Sequence, residues 1–261
     1  MTKALLVISF GTSHRETRRA TIERIEQDLA AAFPDRKFYR AWTSGFIRRR
    51  LLEQEGIACD SVAEALERLL SDGVTDLLVQ PTHMLAGREA NAALAEVRAC
   101  RDSFARLAVG EPLLASADDI QALARALETI YGDTPEDCLL GLMGHGSADS
   151  AGNPYLELAA CFDADGFSRF AVGTVEEEPG FAPILERARL RQPRLIRLAP
   201  LMVVAGDHAV NDMAGAEEDS WAGRLQRAGF AVECVLRGLG EYAILRQLYL
   251  EHARAARLVK C

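Results

Sequence analysis

The stretch Ala4-Leu-Leu-Val-Ile-Ser-Phe10 is apolar at every position except Ser9. A continuous apolar run of this length, with no alternation between polar and apolar residues, is typical of a strand buried inside a parallel sheet. Gly11-Thr-Ser13 follows, and an amphipathic helical pattern begins at His14, for which Ser13 is the expected N-cap. A buried strand that leads directly into a helix is the repeating unit of α/β folds.

The same alternation of strand and helix continues along the chain. Because strands that alternate with helices form parallel sheets through right-handed crossovers, we predict an α/β fold. The polar segment Gly132-Asp-Thr-Pro-Glu136 divides the pattern into two halves. Strands are predicted at 4–10, 37–42, 76–80, 105–109, 138–143, 169–173, 195–198 and 231–235, and helices at 14–33, 44–55, 61–71, 89–100, 117–131, 183–191, 219–228 and 241–258.

Each half contains few strands, and they are short, so two small domains fit the pattern better than one barrel. We therefore predict two similar Rossmann-like domains with parallel sheets. The N-terminal domain covers residues 1–131, with a last helix that can cross over to the other domain. The C-terminal domain covers residues 136–261.

A weak internal repeat supports two related halves. Phe10-Gly-Thr-Ser13 corresponds to Gly144-His-Gly-Ser147, and the segment from Pro81 to Ala90 resembles the segment from Pro200 to Ala209. All four loops follow predicted strands, and ligands of open parallel sheets bind at the carboxyl ends of the strands. We therefore expect the two halves to face each other across a cleft lined by these loops.

Composition excludes several classes of function. The net charge is −8, and the short run Arg48-Arg49-Arg50 lies in a helical pattern, so no nucleic-acid partner is expected. No apolar run approaches the roughly 20 residues that span a bilayer, and no secretion signal is visible, so we expect a cytoplasmic protein without a membrane partner. The six cysteines form no Cys-x-x-Cys pair and are expected to be core thiols: Cys59, Cys100, Cys138, Cys161, Cys234 and Cys261.

Nucleotide and serine-hydrolase motifs are absent. No Gly-x-Gly-x-x-Gly follows the first strand, and the chain has no Walker sequence and no Gly-x-Ser-x-Gly elbow. We therefore expect neither a nucleotide cofactor nor a serine nucleophile, in spite of the Rossmann-like pattern.

Three residues that follow strands of the second half form a candidate metal site. His145 lies between two glycines, Glu176 begins an acidic run, and His208 follows Gly206-Asp207. Two imidazole nitrogens and one carboxylate suit a divalent first-row ion, and three protein ligands leave the open positions that a catalytic site needs. The spacing matches no compact metal motif, and from these residues alone a hydrolytic metal site fits equally well.

Six motifs along the chain closely resemble the anaerobic sirohydrochlorin cobaltochelatases, which belong to the class II chelatase group together with ferrochelatase. The resemblance covers essentially the whole chain. The motifs are Leu-Leu-Val-Ile-Ser-Phe-Gly-Thr-Ser at 5–13, Ala41-Trp-Thr-Ser44, Gln80-Pro-Thr-His83, Gly144-His-Gly-Ser147, Val172-Gly-Thr-Val-Glu176 and Val204-Ala-Gly-Asp-His208.

This resemblance implies two α/β domains with a tetrapyrrole cleft between them and no nucleotide requirement. It places the family's metal-binding and catalytic set on His145, Glu176 and His208. The implied reaction is insertion of Co²⁺ into sirohydrochlorin during anaerobic cobalamin biosynthesis. The residues do not decide between Co²⁺ and Fe²⁺ or Ni²⁺, and a homo-oligomer remains open.

Candidates for binding the tetrapyrrole are chosen by their position in strand-end loops. Hydroxyl and arginine side chains are expected to bind the ring carboxylates, and apolar side chains to pack on the ring face. The candidates are Ser13, Arg15, Trp42, Thr43, Ser44, His83, Met84 and Arg88. Two alternative functions stay open: a ferrochelatase-type enzyme that makes sirohaem, and a non-catalytic carrier of a tetrapyrrole or metal.

Overall fold

The computed structural model describes residues 2–146 and 152–260 of the chain. Ser147 of the repeated motif and Cys261 lie outside the described residues. The chain forms two compact units. The first contains Met1–Ala115 together with Ala243–Cys261, and the second contains Ser116–Tyr242.

The first unit is built on a mainly parallel sheet. Its strands are β1 (Lys3–Ser9), β2 (Lys37–Trp42), β3 (Asp76–Pro81), β4 (Arg106–Val109) and, from the end of the chain, β9 (Arg257–Leu258). They lie in the order β2-β1-β3-β4-β9, and only the last pairing is antiparallel. Its helices are α1 (Arg15–Ala20), α2 (Ile22–Ala32), α3 (Gly45–Glu55), α4 (Val62–Ser71), α5 (Arg88–Ala99) and α10 (Ala243–Arg254), with a 3₁₀ turn at Arg101–Ser103.

The second unit repeats this plan with a fully parallel sheet. Its strands are β5 (Cys138–Gly144), β6 (Phe170–Thr174), β7 (Leu195–Pro200) and β8 (Val232–Cys234), in the order β6-β5-β7-β8. Its helices are α6 (Ala117–Tyr131), α7 (Pro154–Ala164), α8 (Ala182–Arg191) and α9 (Trp221–Arg227), with a π-helical turn at His208–Met213 and a 3₁₀ turn at Leu239–Glu241.

The predicted fold class is confirmed, and all eight predicted strands are present. In both units the first strand lies between the second and the third, and the fourth lies beside the third, so the weak sequence repeat corresponds to a repeated topology. The first strand of each sheet is completely buried apart from Lys3, as expected for a strand covered on both faces.

Several local predictions were wrong. The predicted helix at 14–33 is two helices, because the backbone of Thr21, with φ −119° and ψ −85°, departs from helical geometry. The N-cap of α1 is His14 instead of Ser13. The helix predicted at 241–258 ends at Arg254, and the chain continues into β9. Helix α7 and the π-helical turn were not predicted.

The structure also divides the chain differently from the predicted domains at 1–131 and 136–261. Helix α6 packs against α7 and belongs to the second unit. Helix α10 belongs to the first unit, where it packs on α2. Arg246 there donates to Asp28 over 2.6 Å, and the buried Tyr249 hydroxyl donates to the Thr82 carbonyl over 2.9 Å. These tertiary contacts, which join residues far apart in sequence, decide the division.

Among the helices of the described residues, none is both long enough and apolar enough to cross a membrane.

A nearly buried ion pair ties α1 to α3 in the first unit. The Arg18 guanidinium donates to both carboxylate oxygens of Glu55, over 3.0 and 2.9 Å, and Arg15 donates a third hydrogen bond to the same carboxylate over 3.0 Å. The side chains of Arg18 and Glu55 are 4% and 8% exposed. Chiefly because of the hydrogen bonds from Arg18, the pKa of Glu55 is lowered to about 2.

This lowered pKa predicts a pH-dependent contribution to stability. The ionised Glu55 stabilises the folded state above the pKa of an unfolded glutamate, and this contribution is lost as the pH falls from about 4.5 towards about 2. Glu55→Gln should therefore lower the denaturant midpoint of unfolding at pH 7, and the difference from the wild type should shrink as the pH approaches 3.

The control for this experiment is Glu53→Gln, which removes an exposed carboxylate from the same helix. Its unfolding midpoint should follow that of the wild type at every pH. A deficit of Glu55→Gln that stayed constant between pH 7 and pH 3 would contradict the assignment.

Candidate metal centre

Three backbone hydrogen bonds align the strand ends of the second unit. The Val175 and Glu176 amides donate to the carbonyls of Gly144 and His145 over 2.9 and 2.8 Å, so β6 continues its pairing with β5 beyond the sheet. On the other side of β5, the Leu201 amide donates to the Met143 carbonyl over 2.7 Å. The residues that follow β5, β6 and β7 therefore leave the sheet at the same edge.

His145, Glu176 and His208 converge at this edge. Each offers a ligand atom, and the three atoms lie within 4.8 Å of one another. The imidazoles of His145 and His208 meet edge to face with ring centroids 5.0 Å apart, and a carboxylate oxygen of Glu176 lies 3.9 Å from Nδ1 of His145. The side chains are 48%, 58% and 37% exposed in sequence order, so an ion and a large ligand can reach them from solvent.

The loop around His145 is shaped by two glycines and a tyrosine. A Cβ on Gly144 would lie 2.2 Å from the ring of Tyr155, and Gly146, with φ +90°, lies so close to Glu176 that a Cβ would be 1.9 Å from its carbonyl oxygen. The Gly146 amide donates to the Tyr155 hydroxyl over 3.4 Å, and burial raises the pKa of this hydroxyl. The two glycines therefore leave room for the end of β5 to pack against the ring of Tyr155 and the backbone of Glu176.

The tautomers of both histidines follow from their hydrogen bonds. Nδ1 of His145 lies 2.9 Å from the Gly146 carbonyl oxygen, which can only accept, so Nδ1 carries the proton when the ring is neutral. Nδ1 of His208 lies 2.6 Å from a carboxylate oxygen of Asp212 and donates to it in the same way. In each neutral ring the lone pair is then on Nε2, which is free to bind a metal ion or accept a proton.

The first unit carries different chemistry at the equivalent positions. There the Thr43 and Ser44 amides donate to the carbonyls of Ser9 and Phe10, which matches the bonds between Val175–Glu176 and Gly144–His145. These matching bonds place Phe10 at the position of His145, and Ser44 at the position of Glu176. The sequence repeat aligns Glu89 with His208. Phenylalanine and serine are poor ligands for a borderline divalent ion, so the described residues at these positions of the first unit do not repeat the metal site.

Some predicted tetrapyrrole residues of the first unit lie in a polar cluster. The Thr43 hydroxyl donates to the Glu89 carboxylate over 2.9 Å and lies 3.5 Å from Nε2 of His83. Burial lowers the pKa of His83 to about 4, so this ring is neutral at physiological pH. Met84 is half-buried beside it in sequence, and Arg88 is exposed at the start of α5.

Two other predicted tetrapyrrole residues have structural roles. The Trp42 side chain is completely buried in a small core cluster with Ile47 and Leu51, so it cannot pack on a ring face. The Ser44 hydroxyl caps α3 by accepting from the Ile47 amide over 3.4 Å. Ser13 is 8% exposed and so has little surface for a ligand.

Three residues near these clusters were not predicted from the sequence. Asp212 and Glu89 bond to predicted site residues, and Phe10 is 47% exposed at the end of the buried β1. Asp212 was detectable in principle, because it follows His208 by four residues and such a spacing puts two residues of a helix on one face. The signal was lost because no helix was predicted over this segment.

Several known proteins resemble this chain over almost its whole length. The family model described as cobalt chelatase (CbiK) matches residues 3–257. The chain is 39% identical over 256 residues to a sirohydrochlorin cobaltochelatase of Salmonella typhimurium, covering 98% of this chain and 97% of the relative. It is 32% identical to the sirohydrochlorin cobaltochelatase CbiKC of Nitratidesulfovibrio vulgaris, covering 97% and 90%.

Solved structures share the fold at low sequence identity. SirB from Bacillus subtilis, solved with Fe³⁺, superposes with a TM-score of 0.65 at 14% identity, covering 97% of this chain and 95% of SirB. A multi-domain protein of Deinococcus radiodurans with structural similarity to chelatases gives a TM-score of 0.64 at 17% identity, and the match covers 98% of this chain and 55% of that protein.

The close approach of Gly146 to Glu176 leads to a prediction. Gly146→Ala should destabilise the second unit and weaken Co²⁺ binding, because the new methyl group must push the Glu176 backbone away from His145. Gly166→Ala is the matched control, since Gly166 also has a positive φ, of +80°, but has open space around it. That control should cost only backbone strain, about 1–2 kcal/mol.

Thermal unfolding and Co²⁺ titration of both variants distinguish the two effects. Equal losses of stability in the two variants, with unchanged Co²⁺ affinity in Gly146→Ala, would contradict the proposed importance of the contact.

Proposed function

Since the chain belongs to the CbiK cobalt chelatase family, we propose that it is a sirohydrochlorin cobaltochelatase, which inserts Co²⁺ into sirohydrochlorin in anaerobic cobalamin biosynthesis. The observation that carries the proposal is the convergence of His145, Glu176 and His208 within 4.8 Å at the end of the second sheet. Both close relatives are named for this reaction.

The three side chains suit transient binding of the metal substrate. Two neutral imidazoles and one carboxylate form a donor set that divalent first-row ions accept, and the remaining coordination positions stay open to water or to the ring nitrogens. Glu176 contributes negative charge and thereby assists removal of water from the ion. Because the ligands are partly exposed, the ion is delivered from solvent and is not locked in a closed site.

Metal insertion requires that the macrocycle lose two pyrrole protons. In our proposal, Nε2 of His145 and Nε2 of His208 first bind Co²⁺ through their lone pairs. As the ring nitrogens take the ion, these lone pairs become free, and each accepts one pyrrole proton. Two protons thus replace one divalent ion at the site, so its net charge is conserved. His145 is the leading base, and His208 is the second acceptor.

Four of the predicted tetrapyrrole residues belong to this proposal as well. We propose that Thr43, His83, Met84 and Arg88 of the first unit bind the tetrapyrrole. No nucleotide is needed, because exchange of metal for protons supplies the driving force. We also place the reaction in the cytoplasm, a compartment in which free thiols such as that of the buried Cys138 persist.

The reaction itself can be tested with the purified protein. Incubation with excess sirohydrochlorin and Co²⁺ should change the absorption spectrum of the macrocycle with many turnovers per protein molecule. A spectral change that stops at one equivalent would instead support a tetrapyrrole or metal carrier. Parallel reactions with Fe²⁺ and Ni²⁺ test the sirohaem alternative, and faster insertion of Fe²⁺ would overturn the assignment of cobalt.

The location of the metal site can be tested separately. A structure with Co²⁺ soaked into the full chain should show the ion within about 2.0–2.3 Å of nitrogen or oxygen atoms of His145, Glu176 and His208. An ion bound by cysteine thiols, or by residues of the first unit alone, would refute the site.

Substitutions can separate the roles of His145 and Glu176. His145→Ala removes a base and a ligand together, so activity should fall by at least the ~10²–10⁴-fold that general-base catalysis contributes, at any Co²⁺ concentration. Glu176→Gln keeps the shape but removes the charge, and it should mainly raise the Co²⁺ concentration required. Initial rates against Co²⁺ concentration check both expectations. Full recovery of His145→Ala at high Co²⁺ would reduce His145 to a ligand.

A further inference from the structure

We propose that Asp212 is a positioning residue, which holds His208 in the tautomer and orientation that bind the incoming metal ion. This inference rests on the proposed role of His208 as a metal ligand. Its basis is the 2.6 Å hydrogen bond between Nδ1 of His208 and a carboxylate oxygen of Asp212.

The local backbone brings the two side chains together. His208 and Asp212 lie four residues apart on the π-helical turn His208–Met213, in which the Ala214 amide donates to the Ala209 carbonyl over 3.2 Å, a span of five residues. Side chains four residues apart on such a turn project from nearly the same face. Wider turns of this kind occur frequently at functional sites.

The hydrogen bond determines which nitrogen of His208 is available. A carboxylate accepts and cannot donate, so it selects the tautomer protonated on Nδ1 and leaves the lone pair on Nε2. The negative charge also makes the ring a stronger donor to a cation, as carboxylate–histidine–metal arrangements do in general. Nδ1 of His145 instead bonds to the neutral carbonyl of Gly146 over 2.9 Å, and the Glu176 carboxylate lies farther away, at 3.9 Å. The two imidazoles therefore differ in the group that accepts their Nδ1 hydrogen bond.

The exposure of the pair argues against a purely structural role. The side chains of His208 and Asp212 are 37% and 47% exposed, and ion pairs at such sites typically contribute about 0–1 kcal/mol to stability. Among the described residues, the ligand atoms that converge belong to His145, Glu176 and His208, while the Asp212 carboxylate bonds to Nδ1 of His208. In this proposal Asp212 therefore acts through His208.

The experiment measures Co²⁺ binding to the tetrapyrrole-free full chain by calorimetry and by the visible absorption of bound Co²⁺. Asp212→Asn keeps the size of the side chain and removes the charge, and its Kd for Co²⁺ should rise about 10–100-fold. Asp212→Glu keeps the carboxylate and should recover most of the affinity. In turnover assays, the KM for Co²⁺ of Asp212→Asn should rise by a similar factor.

Two controls make the result specific. Glu217→Gln removes an exposed carboxylate elsewhere on the same unit and should leave the Kd unchanged. In a His208→Ala background, Asp212→Asn should have no further effect on the Kd, because the ring through which it acts is gone. The thermal midpoint of the metal-free Asp212→Asn protein should equal that of the wild type.

The outcomes separate this inference from the proposed function. If His208→Ala binds Co²⁺ as tightly as the wild type, the proposed metal site itself is wrong. If His208→Ala loses affinity while Asp212→Asn does not, His208 is a ligand and the role of Asp212 is refuted. A loss in Asp212→Asn that matches a lower thermal midpoint of the metal-free protein, or that persists without His208, also overturns the positioning role.

Discussion

The hydrogen bonds that extend β5 beyond its last residue are the constraint on which the metal centre depends. Parallel pairing of β6 and β7 with β5 brings three strand ends to one edge, and the Glu176 amide bonded to the His145 carbonyl fixes two of the three ligands relative to each other. Because both backbone segments must approach within van der Waals distance, Gly146 cannot carry a side chain. The site is thus a consequence of sheet register, with His208 added by the turn that follows β7.

Duplication of the same α/β plan explains both the likeness and the difference of the two units. Their sheets have the same strand order, and the bonds from Thr43 and Ser44 match those from Val175 and Glu176. Side chains at the strand ends are free to differ, because the register is maintained by backbone groups. One copy can therefore carry imidazole and carboxylate ligands while the other presents Phe10 and the Thr43–His83–Glu89 cluster.

Local hydrogen bonds give the two histidine ligands different electron-donating strength, a difference that their sequence motifs do not show. Two histidines in glycine-containing loops look alike in the sequence, yet one bonds to a carbonyl and the other to a carboxylate. The difference affects how strongly each Nε2 donates to a cation. For Trp42, at the end of β2, the sequence allowed either contact with the tetrapyrrole or core packing; in the structure Gly11 leaves room for the ring to be buried.

The sequence by itself determined the α/β class and the eight strands that pair in parallel, because apolar runs and their periodicity depend on local chain chemistry. It also suggested the three candidate ligands, through their positions after strands of the second half. Tertiary structure alone decided that α6 joins the second unit and that α10 and β9 return to the first, since these choices depend on contacts such as Arg246–Asp28 across the chain. The same holds for the π-helical turn and the pairing of His208 with Asp212. The turn has only a weak periodic signal, and its position relative to the other ligands depends on where β7 ends.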